Sequence, residues 1–182
     1  MRLCPVVRGR PGPQARYPQA RYPFHEQYPG YPRGPAVKLV HIVVGIACLV
    51  LVGGAGFWGA WCWYRVRQSP LFWRLLRAGQ VAIVVEAALG GVLLLLGKKE
   101  SGLHVIYGLL PLLVSFIAEQ LRIASAQAVL DARELESAQA VGKLPDSEQR
   151  VVVIAIVQRE LGVMVLAALV MFVLIGRAAM TG

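Results

Sequence analysis

Acidic residues and cysteines are scarce in this chain, and it contains no recognisable motif of an enzyme active site. The 182 residues include 10 acidic residues and 3 cysteines, but 19 lysines and arginines. Cys48 and Cys62 lie in one apolar run, about 21 Å apart along a helix, so they cannot form a disulfide with each other. No Cys-x-x-Cys pair, Ser-His-Asp arrangement or phosphate-binding loop is evident. We therefore expect a protein without enzymatic activity, with no metal site.

A continuous basic face is also lacking, although the formal net charge is +9. The basic residues are concentrated in the first 36 residues and at the ends of apolar runs. Lipid headgroups and membrane topology account for basic residues in such places. This distribution indicates the lipid bilayer, and not nucleic acid, as the partner of these charges.

Long apolar runs, in contrast, are abundant. Two runs extend from Val37 to Trp63 and from Leu71 to Gly97, and the cores of two more extend from Leu103 to Ala118 and from Leu161 to Ile175. About 20 apolar helical residues cross a hydrocarbon core of about 30 Å, and a helix satisfies its own backbone polar groups in lipid. We therefore expect an all-α fold, a polytopic membrane four-helix bundle over residues 37–182. Its helices are predicted near 37–64, 72–97, 103–141 and 147–177.

The predicted third helix becomes amphipathic after Ala118 and contains no helix breaker before Gly142. One continuous helix from Leu103 to Val141 would be about 58 Å long, so it must extend beyond the bilayer. Pro145 and the residues after it supply a turn and the start of the fourth helix. The last two helices are therefore predicted to form a hairpin that projects from the membrane, with its tip in water.

The first 36 residues differ in composition from the rest. The pentapeptide Gln-Ala-Arg-Tyr-Pro begins at Gln14 and recurs at Gln19, and Tyr-Pro returns at Tyr28 and Tyr31. Frequent prolines block helix and sheet, and few aliphatic side chains are available for a core. We expect residues 1–36 to form a disordered tail. An alternative is that translation begins near Val37.

Aromatic and basic residues indicate the orientation of the helices. All four tryptophans lie near one predicted membrane interface: Trp58, Trp61, Trp63 and Trp73. Four arginines lie in or beside the short loop between the first two helices: Arg65, Arg67, Arg74 and Arg77. Because arginines in short loops favour the cytoplasm, we expect loops 65–71 and 125–150 on the cytoplasmic side.

Polar side chains inside the predicted spans are candidates for a functional site, because such groups are costly in lipid. Those on the third helix recur at steps of three and four residues and form one stripe: His104, Tyr107, Pro111, Ser115, Glu119 and Arg122. Glu119 and Arg122 are one turn apart and are predicted to pair. Glu86 lies near the midplane of the second helix. It is predicted to be a structural acid, either neutral or hydrogen-bonded to Ser115 or Tyr107 on the neighbouring helix, and the alternative is a proton relay or substrate contact.

Two histidines allow a different interpretation. His41 lies one turn into the first predicted helix, and His104 opens the third. Both helices start on the same face of the membrane, so the two imidazoles can lie at similar depth. One hypothesis is that they are the axial ligands of one haem in the bundle. The simpler hypothesis is that His104 caps its helix and His41 bonds a neighbour. The sequence favours the simpler one, so no cofactor is expected and haem is the alternative.

The pattern Leu89-Gly90-Gly91-Val92, followed by a short turn and Gly102-Leu103-His104, resembles a helical hairpin of the haem A synthase family. In that family a Gly-Gly helix precedes a helix with a haem-ligating histidine, so the resemblance implies haem binding at His104. The family's Glu-x-x-His pattern is not present, because Leu89 follows Glu86 at that spacing. As a whole, the chain resembles small uncharacterised four-helix membrane proteins of high-GC, actinobacterial-type bacteria, which implies a bacterial plasma membrane.

These observations favour a non-enzymatic membrane protein that acts as an accessory or assembly component of a membrane complex. Its partners would be other membrane proteins or a second copy of the chain. The alternative is a bis-histidine protein that transfers electrons or handles haem through His41 and His104. A proton-coupled carrier built around Glu86 is disfavoured, because the sequence has neither inverted repeats nor paired broken helices.

Overall fold

The computed structural model describes residues 33–97, 101–135 and 137–182, and all regular structure in these ranges is helical. The helices are α1 (Arg33–Tyr64), α2 (Pro70–Leu95), α3 (Gly102–Asp131), α4 (Ala138–Val141) and α5 (Asp146–Thr181). Four of them are long and apolar enough to cross a membrane, over Ala36–Tyr64, Pro70–Leu95, Gly102–Asp131 and Asp146–Thr181. The predicted all-α fold with four long apolar helices is confirmed.

The predicted disordered tail over residues 1–36 lies mostly outside the described residues. Residues 33–36 are described, and they belong to α1, which begins at Arg33 and not near Val37. Pro35 is compatible with this earlier start. It lies in the first turn, where a backbone amide has no acceptor within the helix in any case.

The third helix is shorter than predicted, because α3 ends at Asp131 and not at Val141. Glu134 adopts the left-handed conformation, with φ of 55°. The Leu135 amide donates to the Leu130 carbonyl at 3.0 Å, and the Glu134 amide donates to the Asp131 carbonyl at 3.1 Å. This pair of bonds is a Schellman ending. The side chain of Leu135 packs against a cluster of buried residues that includes Leu130.

The four long helices surround one apolar core. In α1, α2 and α5 the core includes Val52, Phe72, Leu76, Met164 and Met171, all fully buried. The helix α1 packs along both α2 and α5, and α3 packs mainly along α5. The contact between α2 and α3 is much smaller. The bundle therefore has three close helix pairs and one loose one.

Glycines on α1 permit the close approach of α2 and α5. A Cβ atom at Gly53 would lie 2.8 Å from the Phe172 ring, and one at Gly59 would lie 2.5 Å from the Phe72 ring. At Gly56, the nearest atom would be a methyl carbon of Leu169 at 2.9 Å. These separations are shorter than van der Waals contact, so only glycine fits at the three positions without a shift of neighbouring atoms.

A second, smaller core lies at the tip of the α3–α5 hairpin. It consists of buried Val129, Leu130, Val141 and Val152, with Leu135, Leu144, Ala155 and Ile156 packed against it. Charged side chains at this tip are exposed: Asp131, Arg133, Glu134, Lys143, Asp146, Glu148 and Arg150. The short helix α4 contributes Val141 and thereby closes the tip. The hairpin tip is thus an ordered unit with its own apolar interior and a charged surface.

Candidate functional site

Three polar side chains from different helices meet where α1 and α3 begin, and we refer to His41, Glu86 and His104 as the histidine cluster. His41 Nδ1 lies 3.2 Å from Glu86 Oε1, which joins α1 to α2. The ring centroids of His41 and His104 are 6.1 Å apart, with an angle of 69° between the ring planes. The two histidines that the sequence placed at similar depth are therefore neighbours in the bundle.

The end of α5 fixes the position of His104. Its Nδ1 lies 2.9 Å from the Ala178 carbonyl oxygen. The amide of His104 donates to Ser101 Oγ at 3.1 Å, and Ser101 Oγ donates to the Thr181 carbonyl at 2.6 Å. Ser101, and not the predicted His104, therefore provides the side-chain cap of α3. The imidazole is held instead between the start of α3 and the last turn of α5.

The Glu86 carboxylate lies beside α1, and not against the predicted partners on α3. Its neighbour on α1 is His41, whose Nδ1 lies 3.2 Å from Glu86 Oε1. Tyr107 is half-buried and its ring lies 5.8 Å from Arg177 Cζ, and Ser115 is half-buried on the same helix. The physical reason is the loose contact between α2 and α3, which leaves α1 as the closer neighbour of Glu86. Within the described ranges, the second carboxylate oxygen, Oε2, is buried and has no hydrogen-bond partner.

Gly45 gives the Glu86 carboxylate its space on α1. A Cβ atom at position 45 would lie 2.8 Å from Glu86 Oε1. Gly90 on α2 lies near the His41 ring, and a Cβ atom at position 90 would be 3.6 Å from His41 Cε1. The first distance is too short for a carbon and an oxygen, and the second is an ordinary contact. Alanine at position 45 would therefore overlap the Glu86 carboxylate, whereas alanine at position 90 would fit beside His41.

We expect Gly45→Ala to displace the Glu86 carboxylate from His41 and to destabilise the bundle by about 1 kcal/mol, because the added methyl group overlaps Oε1. The ¹⁵N chemical shift of His41 Nδ1 in labelled protein would report the displacement. Gly90→Ala is the matched control and should leave that shift nearly unchanged. Equal changes in the two variants would contradict the assignment of Gly45 as the space for the carboxylate.

A second polar group, which we call the glutamate cluster, lies toward the other end of α2 and α3 and is centred on Glu119. Arg77 donates to both carboxylate oxygens, at 2.5 Å to Oε1 and 3.3 Å to Oε2. Gln80 Nε2 donates to Oε1 at 3.1 Å, and Arg122 Nε donates to Oε2 at 3.1 Å. The predicted pair of Glu119 and Arg122 is confirmed. Glu160 on α5 joins the cluster through Arg122 Nη1, 3.6 Å from its Oε2.

The sequence did not predict Arg77 and Gln80 as partners of Glu119, or Glu160 as a partner of Arg122. Arg77 and Gln80 are three residues apart on α2 and therefore share a face, which was the available signal. That signal does not identify the facing helix. Arg122 also lies over the Trp73 ring, with Cζ 6.0 Å from the centroid. The cluster thus connects α2, α3 and α5, and bonds to two arginines compensate the charge of Glu119.

Comparisons with protein-family models, with curated proteins and with solved structures give no match.

The chemistry available at the two clusters differs. In the glutamate cluster two arginines and an amide surround the Glu119 carboxylate, and Arg122 also pairs with Glu160, which is a structural arrangement of charge-assisted hydrogen bonds and ion pairs. The histidine cluster holds groups that can exchange protons or donate to a metal. In the described part of the chain, no group of three or more His, Cys, Asp or Glu side chains is placed to hold a metal ion.

Proposed function

We propose that this chain is a non-enzymatic accessory or assembly component of a complex in a bacterial plasma membrane. The observation that carries the proposal is the separate apolar core of the hairpin tip, around Val129, Leu130, Val141 and Val152. A tip with its own interior keeps a defined surface outside the bundle, and a defined surface is what a partner protein requires. The four long apolar helices supply the membrane anchor.

The charges on the hairpin tip support a docking role. Arg133, Lys143 and Arg150 are exposed, and no carboxylate within the described ranges forms an ion pair with them. Exposed acidic residues lie on the same tip, so the surface carries charges of both signs. A mixed surface of this kind selects a partner by charge complementarity, which acts on association rate and specificity.

Affinity capture tests this proposal. The full chain would be purified from native membranes in a mild detergent, and co-purifying membrane proteins would be quantified by mass spectrometry. The variant R133Q/K143Q/R150Q should lose at least one partner that the natural chain retains. The control R65Q/R67Q/R74Q removes the same charge from the α1–α2 loop and the start of α2, and it should retain that partner. Retention of every partner by the hairpin variant would refute a docking role for the tip.

A second copy of the chain is an alternative partner at the same surface. Light scattering in detergent distinguishes it, since a self-associating protein would show a mass that falls to that of the monomer in the hairpin variant. A constant monomer mass together with capture of another protein would assign the tip to a heterologous complex.

We further propose that loops 65–71 and 125–150 face the cytoplasm. The support is the exposed Arg65 and Arg67 in the short loop between α1 and α2. In a variant whose natural cysteines are replaced by serine, a cysteine introduced at exposed Gln68 should react with a membrane-impermeant maleimide only after the cells are opened. Labelling of intact cells would reverse the orientation.

Haem binding is the second candidate function, and one observation favours it. His41 and His104 are neighbours, and a backbone carbonyl lies next to Nδ1 of His104. Ligating imidazoles commonly have such a partner on the nitrogen that does not bind the metal. If haem is bound, the imidazoles of His41 and His104 would hold its iron, and the haem would supply one-electron redox chemistry.

The visible spectrum of the purified protein tests this candidate. If this candidate is correct, the natural chain has a Soret band that is lost in both His41→Ala and His104→Ala. The third histidine, His25, provides the control, and His25→Ala should keep the band. A colourless natural protein after expression with added haem would exclude the candidate.

A further inference from the structure

Three arginines beside the α1–α2 turn carry positive charge that the described residues do not neutralise. Arg65, Arg67 and Arg74 are all exposed, and within ranges 33–97, 101–135 and 137–182 no carboxylate forms an ion pair with them. Arg77, one turn after Arg74, differs because it is bound to Glu119. We refer to Arg65, Arg67 and Arg74 as the arginine loop. An external anion is the natural complement of these side chains.

Hydrogen bonds hold the backbone of the turn in a defined shape. The Val66 amide donates to the Trp63 carbonyl at 3.1 Å, and the Arg67 amide donates to the Cys62 carbonyl at 2.9 Å. Val66 is thereby fixed in the left-handed region, with φ of 53°, which a β-branched residue rarely adopts. This backbone conformation of Val66 costs free energy, and it lies between Arg65 and Arg67. Arg65 and Arg67 therefore project from a preorganised turn.

The start of α2 adds to the positive character of this region. Ser69 precedes α2, but its side chain does not cap the helix. Its hydroxyl oxygen instead accepts a hydrogen bond from Trp58 Nε1 at 2.9 Å. The first amides of α2 therefore lack this side-chain acceptor, and the helix dipole adds to the charge of Arg74 one turn later.

The aromatic residues around the turn place the arginine loop at headgroup depth. Trp61, Trp63 and Tyr64 form the last turn of α1, and all three are exposed. Exposed tryptophan and tyrosine at the end of an apolar helix are typical of the membrane–water interface. Arg65 Cζ lies 5.2 Å from the centroid of the Trp61 ring, so its guanidinium group is held at the same level. Lipid headgroups lie at this interface.

We propose that the arginine loop binds the phosphate of an anionic phospholipid. A guanidinium group donates two parallel hydrogen bonds to a phosphate, and three such groups exceed the charge of a single phosphodiester. A lipid with net negative charge complements this excess. A zwitterionic lipid brings its own cation to a region that already contains three. The aromatic girdle makes a membrane lipid, and not dissolved phosphate, the source of the anion.

The tryptophans provide a direct probe of this site, because Trp58, Trp61, Trp63 and Trp73 all lie near the arginine loop. The full chain would be reconstituted in vesicles of phosphatidylcholine with a minority of phosphatidylglycerol. Acyl-chain bromine, which quenches tryptophan fluorescence, would be carried by one lipid or the other. Quenching by brominated phosphatidylglycerol should exceed that expected from its share of the bilayer. Each arginine near an anionic surface contributes about a five-fold increase in binding.

Two variants with the same change of charge separate a site from a general effect. R65Q/R67Q/R74Q should reduce quenching by brominated phosphatidylglycerol to the level of random mixing. R133Q/K143Q/R150Q, on the hairpin tip, should leave it unchanged. Each value would be divided by the quenching from brominated phosphatidylcholine in the same variant, which corrects for changes in the tryptophans themselves. Equal loss in the two variants, or random quenching in the natural chain, would overturn the proposal.

Two further measurements keep the test decisive. Addition of inorganic phosphate should not change the quenching, and displacement of the lipid by phosphate would reassign the site to a dissolved anion. Native mass spectrometry of the detergent-purified natural chain should show a retained anionic lipid. If R65Q/R67Q/R74Q does not fold, single substitutions should each lower retention about five-fold. No retained anionic lipid on the natural chain would also refute the site.

Discussion

Gly59→Ala is expected to lower the free energy of unfolding of the bundle by about 1–3 kcal/mol, the usual cost of overpacking. The added Cβ would lie 2.5 Å from the Phe72 ring and 2.7 Å from Val165 Cγ2. Phe72 and Val165 are 0% and 1% exposed, so neither can move into open space. Both belong to the core that joins α1 to α2 and α5. The thermal unfolding midpoint in detergent, followed by circular dichroism, measures the loss.

Gly54→Ala provides a control about one and a half turns earlier in the same helix. There the added Cβ meets only Leu75 Cδ1, at 3.9 Å, which is an ordinary contact. Alanine is favoured over glycine within a helix by about 0.8–1.0 kcal/mol, so this variant should be as stable as the natural chain or more stable. A similar loss of stability in the two variants would mean that close packing at Gly59 is not the cause.

Glu119→Ala is the second substitution with a large expected effect, a loss of about 1–3 kcal/mol. It removes one carboxylate and leaves Arg77, Gln80 and Arg122 without their shared acceptor. Two cations then face each other across the loose α2–α3 contact. Complete burial would raise the cost further, but the Arg77 side chain is 49% exposed and solvent compensates part of its charge. Unfolding in a mixed-micelle titration measures the effect.

Glu160→Ala is the matched control for this cluster. Glu160 contributes one ion pair, at 3.6 Å to Arg122, so its removal should cost less than about 1 kcal/mol. A double-mutant cycle of Glu119→Ala with Arg77→Ala isolates the bond that joins α2 to α3. A coupling energy near zero would show that the two side chains stabilise the bundle independently, contrary to the geometry.

The long apolar helices could be predicted from the sequence because their signal is local. An apolar run of sufficient length specifies a spanning helix without reference to any other part of the chain. The pair of Glu119 and Arg122 was predictable for the same reason, since residues one turn apart on a helix are neighbours whatever surrounds them.

The end of α3 could not be predicted, because Glu134 occupies the left-handed position where glycine is the usual signal. Packing of Leu135 against the apolar core of the hairpin tip supports this ending, and such packing is not visible in a helical pattern of charged and apolar residues. The prediction of a partner for Glu86 on α3 was wrong for a related reason. Periodicity identifies a polar stripe on α3, but whether Glu86 faces α1 or α3 depends on how closely each packs against α2.

The hairpin tip and the bundle have separate interiors, with no buried residue in common. Cooperative unfolding depends on shared packing, and regions that lack it can open as individual units. The tip is therefore expected to exchange its amide protons through brief local openings while the membrane helices remain protected. A partner that binds the tip would suppress these openings, and the slowed exchange would map its footprint residue by residue.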